Sequence, residues 1–264
     1  MDTICIQMFI TDEQWVLIEP YLRIERTSRF GRPRADGRKV FDAILFMLHT
    51  GMQWRFLPKS FPPKSTVHDY LSRWCQQDAF RRLLAGLIHE LLERGELQID
   101  QAFIDATFTP AKGAGEGVGL TRKGKGTKVQ IIVDGQGIPL GASVASAGLG
   151  EPQMVQQTLE LFEENTQPER LIGDKAYDSD PLDALLADLG IEMIAPHRRN
   201  RLPENYTQDG RPLRRYRHRW IVERTFAWLG YHRRLLVRWE KHLPIFLGFT
   251  LLGCMMITLK KLGG

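Results

Sequence analysis

The sequence has little cysteine. Cys5, Cys75 and Cys254 are odd in number, far apart, and form no Cys-x-x-Cys pair. That excludes a disulfide framework and a thiolate zinc knuckle, and it fits a reducing compartment. The seven histidines show no paired ligand spacing, so nothing points to a tightly held zinc. The first turns carry charge and no signal-peptide apolar core, so a cytoplasmic protein is expected. One stretch imitates a membrane span, because Leu243 to Leu259 carries no charge. It is short for a bilayer and holds Pro244, Gly248, Thr250, Gly253 and Thr258. The expectation is a buried terminal helix packed on a sheet.

Three nucleotide or nucleophile motifs are nearly present and fail. Gly119-Leu-Thr-Arg-Lys-Gly124-Lys125 approaches a phosphate-binding loop, but Gly126 stands where Ser or Thr should hold magnesium. A strand follows where a helix N-terminus should receive the phosphate. Gly113, Gly115, Gly117 and Gly119 miss the dinucleotide spacing. Gly141-Ala-Ser143-Val-Ala145 lacks the second glycine of a nucleophile elbow and lies inside an expected strand.

What the sequence does have is concentrated positive charge. Net charge is +5 over 264 residues. Residues 198 to 241 hold thirteen Lys/Arg against four Asp/Glu, so this segment carries +9 and the remainder −4. A merely solvated surface would spread that charge, so a nucleic-acid partner is favoured.

The length suits one large domain or two modest ones, and the change of pattern along the chain reads as two, 1–95 and 96–264. The first reads as helical. Thr11 or Asp12 caps a helix carrying Trp15, Ile18 and Leu22, and Asp36 caps a second that Gly51 ends. Ser65 or Thr66 opens a third, and a fourth spans about 79 to 94. Short helices with a basic turn suit a helix-turn-helix-like DNA reader, with a helical cap on the next domain as the alternative. From residue 100 the period changes to that of strands. Residues 102–108, 128–133 and 138–147 are β-rich, with Asp134-Gly-Gln-Gly137 as a hairpin turn and 109–126 as a loop. A helix over about 152–164, a strand ending at Asp174, a helix capped by Asp178 or Ser179, a strand over 192–195 and a long basic helix over 211–229 follow. Three antiparallel strands followed by alternating elements predict a mixed α/β sheet of the RNase H-like kind.

Three carboxylates sit among apolar neighbours, where burial is costly unless they are paired or bind a metal. Asp105 lies in Phe103-Ile-Asp-Ala-Thr107, Asp174 ends Leu171-Ile-Gly-Asp174, and Glu223 lies in Trp220-Ile-Val-Glu-Arg-Thr-Phe226. Each alone has an ordinary explanation, such as a turn cap for Asp174 or an ion pair with Arg219 for Glu223. Together they suit a site that holds two Mg²⁺ ions, with Mn²⁺ as a substitute, for in-line phosphoryl displacement. Tyr216, Arg219 and Glu223, three and four apart, share one helix face. There Arg219 can grip a phosphate and Tyr216 can stack on a base. Arg32, Arg34, Arg198, Arg199, Arg214, Arg215, Arg217, Arg233 and Arg234 complete the expected DNA-binding set.

At these residues the sequence resembles the DDE transposases of bacterial insertion sequences, in the insertion-sequence-five subgroup. The resemblance is carried by Phe103 to Thr107, by Arg122 to Gly141, by Asp174-Lys-Ala-Tyr-Asp-Ser-Asp180 and by Arg215 to Leu229. Gly31-Arg-Pro-Arg34 and Thr50 to Pro58 resemble the same subgroup's opening domain. It implies an RNase H-like catalytic domain and Mg²⁺-dependent cutting and joining of an element's own ends. It places the acidic triad on Asp105, Asp174 and Glu223, and the Tyr-Arg-Glu signature on Tyr216, Arg219 and Glu223. Double-stranded DNA is the implied partner, bound by a homodimer, since pairing two ends takes two protomers. Many relatives carry Lys or Arg seven residues after the glutamate, whereas here that position is Gly230. Arg233 or Arg234 is the nearest substitute. The alternatives are an inactive or domesticated DNA-binding relative and a nuclease of the same fold.

Overall fold

The computed structural model describes residues 9–24, 33–160, 167–206 and 212–263. The first segment forms four helices: α1 (Asp12–Leu22), α2 (Gly37–Thr50), α3 (Lys64–Gln76) and α4 (Ala79–Glu93). Thr11 caps α1 in a reciprocal box with Gln14, and the Asp36 carboxylate caps α2 through the N–H groups of Arg38 and Lys39. At Gly51 the backbone turns left-handed (φ 64°), which ends α2. Helix α3 begins at Lys64, directly after Pro63, one or two residues earlier than the hydroxyl residues suggested. Trp74 is fully buried, and its indole N–H donates to the Leu22 carbonyl at 2.9 Å, so the α1–α3 contact leaves no orphan donor.

Six strands follow: β1 (Gln101–Pro110), β2 (Gly119–Thr121), β3 (Gly124–Val133), β4 (Pro139–Ser146), β5 (Arg170–Ile172) and β6 (Glu192–Ile194). The sheet runs β3-β1-β5-β6, with β4 and the short β2 both on the outer edge of β3. Strands β1, β3 and β4 are antiparallel, whereas β1, β5 and β6 are parallel. This is the mixed sheet of an RNase H-like fold. The sequence reading missed β2, whose three residues lie in the stretch taken for loop. Between β4 and β5 stands α5 (Val155–Leu159), entered through a 3₁₀ turn at Pro152–Met154. Beyond it, residues 161–166 lie outside the described ones, so the expected helix end at 164 does too. Helix α6 (Asp180–Asp188) links β5 to β6.

The expected long basic helix is broken. Pro212–His218 is 3₁₀, and α7 (Trp220–Gly230) starts only after Arg219. A one-turn helix, α8 (Arg233–Leu236), leads to α9 (Leu243–Leu262). Helix α9 is long and apolar enough to cross a membrane, but 78% of its apolar window is buried inside the protein. It packs on α4, β4 and α3. A Cβ at Gly248 would come within 2.6 Å of the Cys75 sulfur, so glycine there is what lets α9 approach α3. One continuous apolar core joins α1–α4, the sheet and α9. The helical opening segment is therefore welded to the sheet rather than hung from a linker.

Candidate active site

Strands β1 and β5 set the first two carboxylates side by side. Their last paired residues are Phe103 and Ile172, and Asp105 and Asp174 each lie two residues further on. Equal offsets on parallel strands bring both to one crevice, beside the middle of β1 and just past the carboxyl end of β5. Asp105 continues β1 opposite Ile131 of β3, and its side chain is 17% exposed. Burial pushes its carboxyl up to about 6. The Ala106 N–H (2.8 Å) and the Arg219 guanidinium pull it down, while Asp174 and Glu151 push it up. The Asp174 carboxylate caps the 3₁₀ turn Lys175–Tyr177 by accepting from the Ala176 N–H at 2.7 Å.

The third carboxylate comes from α7. That helix is docked on the β3–β4 hairpin by Thr225, whose hydroxyl donates to the Gly137 carbonyl at 2.8 Å, and by Arg224, which donates to the Gln136 carbonyl at 2.5 Å. Ile221 and Val222 are buried beneath it. Glu223, in the first turn, is left 53% exposed. Arg219 joins the cluster together. It donates to Asp105 at 2.8 Å, ion-pairs with Glu223 one turn on, and stands 5.7 Å from the Tyr216 ring centroid. The break before α7 does not scatter this stripe, since 3₁₀ geometry also sets residues three apart on one side.

Two further groups had no clear signal in the sequence. Glu151, just before the 3₁₀ turn that leads into α5, pairs with Lys128 of β3 at 3.3 Å. Burial raises its pKa, Lys128 opposes, and Asp174 adds to the rise, so Glu151 belongs to the same negative field. Tyr177 is fully buried and its hydroxyl accepts from the Gln130 amide at 3.1 Å. Burial first, then Glu151, Asp105 and Asp174, hold that phenol well above its ordinary pKa. Gln130, buried mid-strand, was the only hint: a polar side chain in an apolar run implies a partner.

The donors are hard carboxylate oxygens in negative excess, which suits a divalent cation such as Mg²⁺. Among the described residues, however, no three His, Cys, Asp or Glu side chains already form a metal cage. Two of the three carboxylates, Asp105 and Glu223, are instead paired with the Arg219 guanidinium.

The expected DNA contacts divide. Arg199, Arg214, Arg217 and Arg233 are exposed, and Arg215 is half-buried. Arg34 is exposed but donates to the Ile24 carbonyl. Arg32 lies outside the described residues. Arg198 is exposed, yet it donates to the carbonyls of Lys175 (3.1 Å) and Ala176 (2.7 Å), so it braces the Asp174 turn. Arg234 corrects the expectation. It is 4% exposed, paired with Glu240 and bonded to the Met52 carbonyl at 2.7 Å, and so has no surface to offer DNA.

Residues 10–84 match a family profile described as "Putative transposase of IS4/5 family", and residues 97–259 match one described as "Transposase DDE domain". A "Putative transposase for insertion sequence element IS402" of Burkholderia cepacia is 34% identical over 143 residues, half of this chain. The chain spans 62% of that relative's length. A "Putative transposase for insertion sequence element IS6501" of Brucella ovis is 31% identical over 137 residues, 51% of this chain and 98% of that one. Among solved structures, a piggyBac transposase synaptic complex with hairpin DNA superposes with a TM-score of 0.55 at 13% identity. It covers 98% of this chain and 75% of that one, a likeness of fold alone. The two profile matches, the second over residues 97–259, and the insertion-sequence relatives show that the chain belongs to the DDE transposases of bacterial insertion sequences.

Proposed function

We propose that this protein is a Mg²⁺-dependent DNA phosphoryl transferase that cuts the ends of its own insertion element and joins them to a target. The observation that carries the reading is the equal offset of Asp105 and Asp174 past Phe103 and Ile172, with Glu223 tied to Asp105 through Arg219. Asp105, Asp174 and Glu223 would hold two divalent cations, which when bound stabilise both the attacking and the leaving oxygen of an in-line displacement. The chain's own residues do the positioning. Asp174 is aimed by the Ala176 N–H, and that turn is braced from behind by Arg198. Arg219 can exchange its carboxylates for a DNA phosphate, because a guanidinium forks equally well onto either anion. Tyr216, beside it, offers a ring face to an unstacked base. The exposed Arg199, Arg214, Arg217 and Arg233 carry the phosphates of the duplex, so binding should weaken steeply with salt. Two ends must be paired before joining, so the working form is a homodimer on DNA.

The test is an excision and joining assay on a plasmid carrying a marker between the native element ends. Purified protein and Mg²⁺ are added, as wild type and as Asp174→Asn. Excised and joined products from wild type alone uphold the reading. End binding without cleavage by either protein supports the alternative of a DNA-binding relative, which the Gly230 departure favours. Cleavage without joined products identifies a nuclease of the same fold.

A further inference from the structure

A second surface, roughly 20 Å along β1 from Asp105 at strand rise, is built of rings and cations and serves nothing described above. Beyond β1, Ala111 bridges Arg238, and the chain from 238 to 242 runs as an irregular platform. That platform is held rigidly. The Arg238 N–H donates to the Pro110 carbonyl (2.8 Å), and the Lys112 and Glu116 N–H groups donate to the carbonyls of Arg238 (3.1 Å) and Lys241 (2.9 Å). The Arg238 guanidinium, 1% exposed, donates to the Thr127 hydroxyl and to the carbonyls of Glu116 and Glu240. Arg234 ties Glu240 to the Met52 carbonyl, and so ties the platform to the opposite wall at residues 52–56.

Between the two walls lies a cavity of roughly 670 Å³, and the same platform borders a second of roughly 650 Å³ against residues 111–116. A rigid backbone here presents rings to solvent. Trp239 is 55% exposed and Phe56 58%. Trp54 completes the lining, with His68 edge-on to it at 5.2 Å and Arg234 over its face at 5.7 Å. The exposed cations around these rings are Arg55, Lys112 and Lys241, with Lys59 on the loop beyond Phe56 and Lys64 at the start of α3. Of the acids, Glu240 is buried under Arg234, and Glu116 pairs with His242 at 3.1 Å. Rings for π-faces and cations for phosphates are the two components that bind single-stranded nucleic acid.

We infer that this groove holds an unstacked nucleotide of a DNA strand, its base against Trp239 and its phosphates on Lys241 and Lys112. The inference rests on the DNA-acting reading above. The groove is distinct from the carboxylate site: it holds strand, and does no chemistry. A platform already fixed by Arg238 loses little freedom on binding, so the rings are pre-organised for stacking.

The test uses the full chain and a short single strand carrying 2-aminopurine, with a blunt duplex of the same sequence in parallel. Wild type is compared with Trp239→Ala, Trp239→Phe and Lys241→Ala. Stacking predicts a loss of about five- to a hundredfold in single-strand affinity for Trp239→Ala, with near-wild-type binding by Trp239→Phe. The 2-aminopurine quench should vanish with the ring, Lys241→Ala should flatten the salt dependence, and duplex affinity should stay within about twofold. Equal single-strand affinity in wild type and Trp239→Ala, with duplex binding intact, overturns this groove while leaving the DNA-acting reading in place. Binding of neither DNA by wild type overturns both. A change of oligomeric mass in Trp239→Ala with unchanged strand affinity makes the groove a protein interface and also overturns it.

Discussion

Arg238 and Arg219 both reach β1, and they do opposite things. Arg238, at the strand's far end, is 1% exposed and donates to three backbone carbonyls and one hydroxyl. Burial pulls its pKa down, and its own Glu240 and Glu116 only partly restore it. Arg219, opposite the middle of the strand, is 24% exposed and bridges two carboxylates. Burial works against its charge too, but Asp105 and Glu223 outweigh it and the pKa rises. The first cation is a framework member, satisfied by neutral oxygens that cannot leave. The second sits among four carboxylates, Asp105, Glu151, Asp174 and Glu223, with Lys128 as the other paired cation. Negative charge in excess in an open crevice invites a further cation, whereas a guanidinium saturated by fixed neutral oxygens, or a matched buried pair such as Arg234 with Glu240, invites nothing. A basic residue's number says little about its task; what its nitrogens touch says most.

The difference between the open cluster and the closed framework can be tested by substitution. The largest effect belongs to the open cluster. Asp105→Asn or Asp174→Asn should lower strand cleavage by about 10³-fold or more, since metal clamping supplies several kcal/mol to such displacements. End binding measured in the same preparations should hardly change. If either variant keeps full activity, that residue is not a ligand. Next comes the closed pair. Glu240→Gln leaves the Arg234 charge buried beside a neutral amide, and should cost about 3 kcal/mol or more in urea unfolding. Arg234→Met with Glu240→Leu together should recover most of that loss, because an apolar pair of similar volume removes both desolvated charges. The same substitutions leave the carboxylate cluster untouched.

The third effect is a pH dependence at the seam between the helical segment and α8. His232 and His49 face each other at 3.1 Å, both buried. Burial, then His49, lowers the His232 pKa from 6.5 to about 3. A base held neutral in the folded state stabilises it above the unfolded pKa, and that stability is lost as pH falls below about 6.5. By pH 5 the loss should reach about 2 kcal/mol. Unfolding of wild type and His232→Phe at pH 7.5 and pH 5 isolates it, and equal losses in both would assign the pH effect elsewhere. The smallest effect is at Gly230, where a Cβ would meet only Leu236 at 3.9 Å. Gly230→Lys should change stability by no more than about 0.5 kcal/mol. It would also restore the cation many relatives carry seven residues after the glutamate, and tighter end binding would show that the position faces DNA.

Much of the framework could be read from residue patterns. Asp36, Gly51 and the Asp134–Gly137 turn announced their roles because caps and turns depend on local backbone chemistry alone. The carboxylates stood out because an acid in an apolar strand is costly without a partner. Local reasoning failed where partners are distant. Nothing near Glu151 in the chain points to Lys128 or Asp174. The tract around Arg214–Arg217 looked helical by composition, yet it folds as 3₁₀ before α7. Arg234 looked like its neighbour Arg233, but one is exposed and the other buried under Glu240.

Periodicity, capping and the cost of burying charge made most of the element order and the buried character of α9 legible in the residues and drew attention to three acids, whereas the three-residue β2, the one-turn α8 and the 3₁₀ break before α7 were not legible there. Tertiary structure alone decided which acids meet, which arginines remain on the surface, and that Trp54 and Trp239 face one another's cavity across residues nearly two hundred apart. Those outcomes depend on strand register and on hydrogen bonds between segments distant in the chain, which no local pattern encodes.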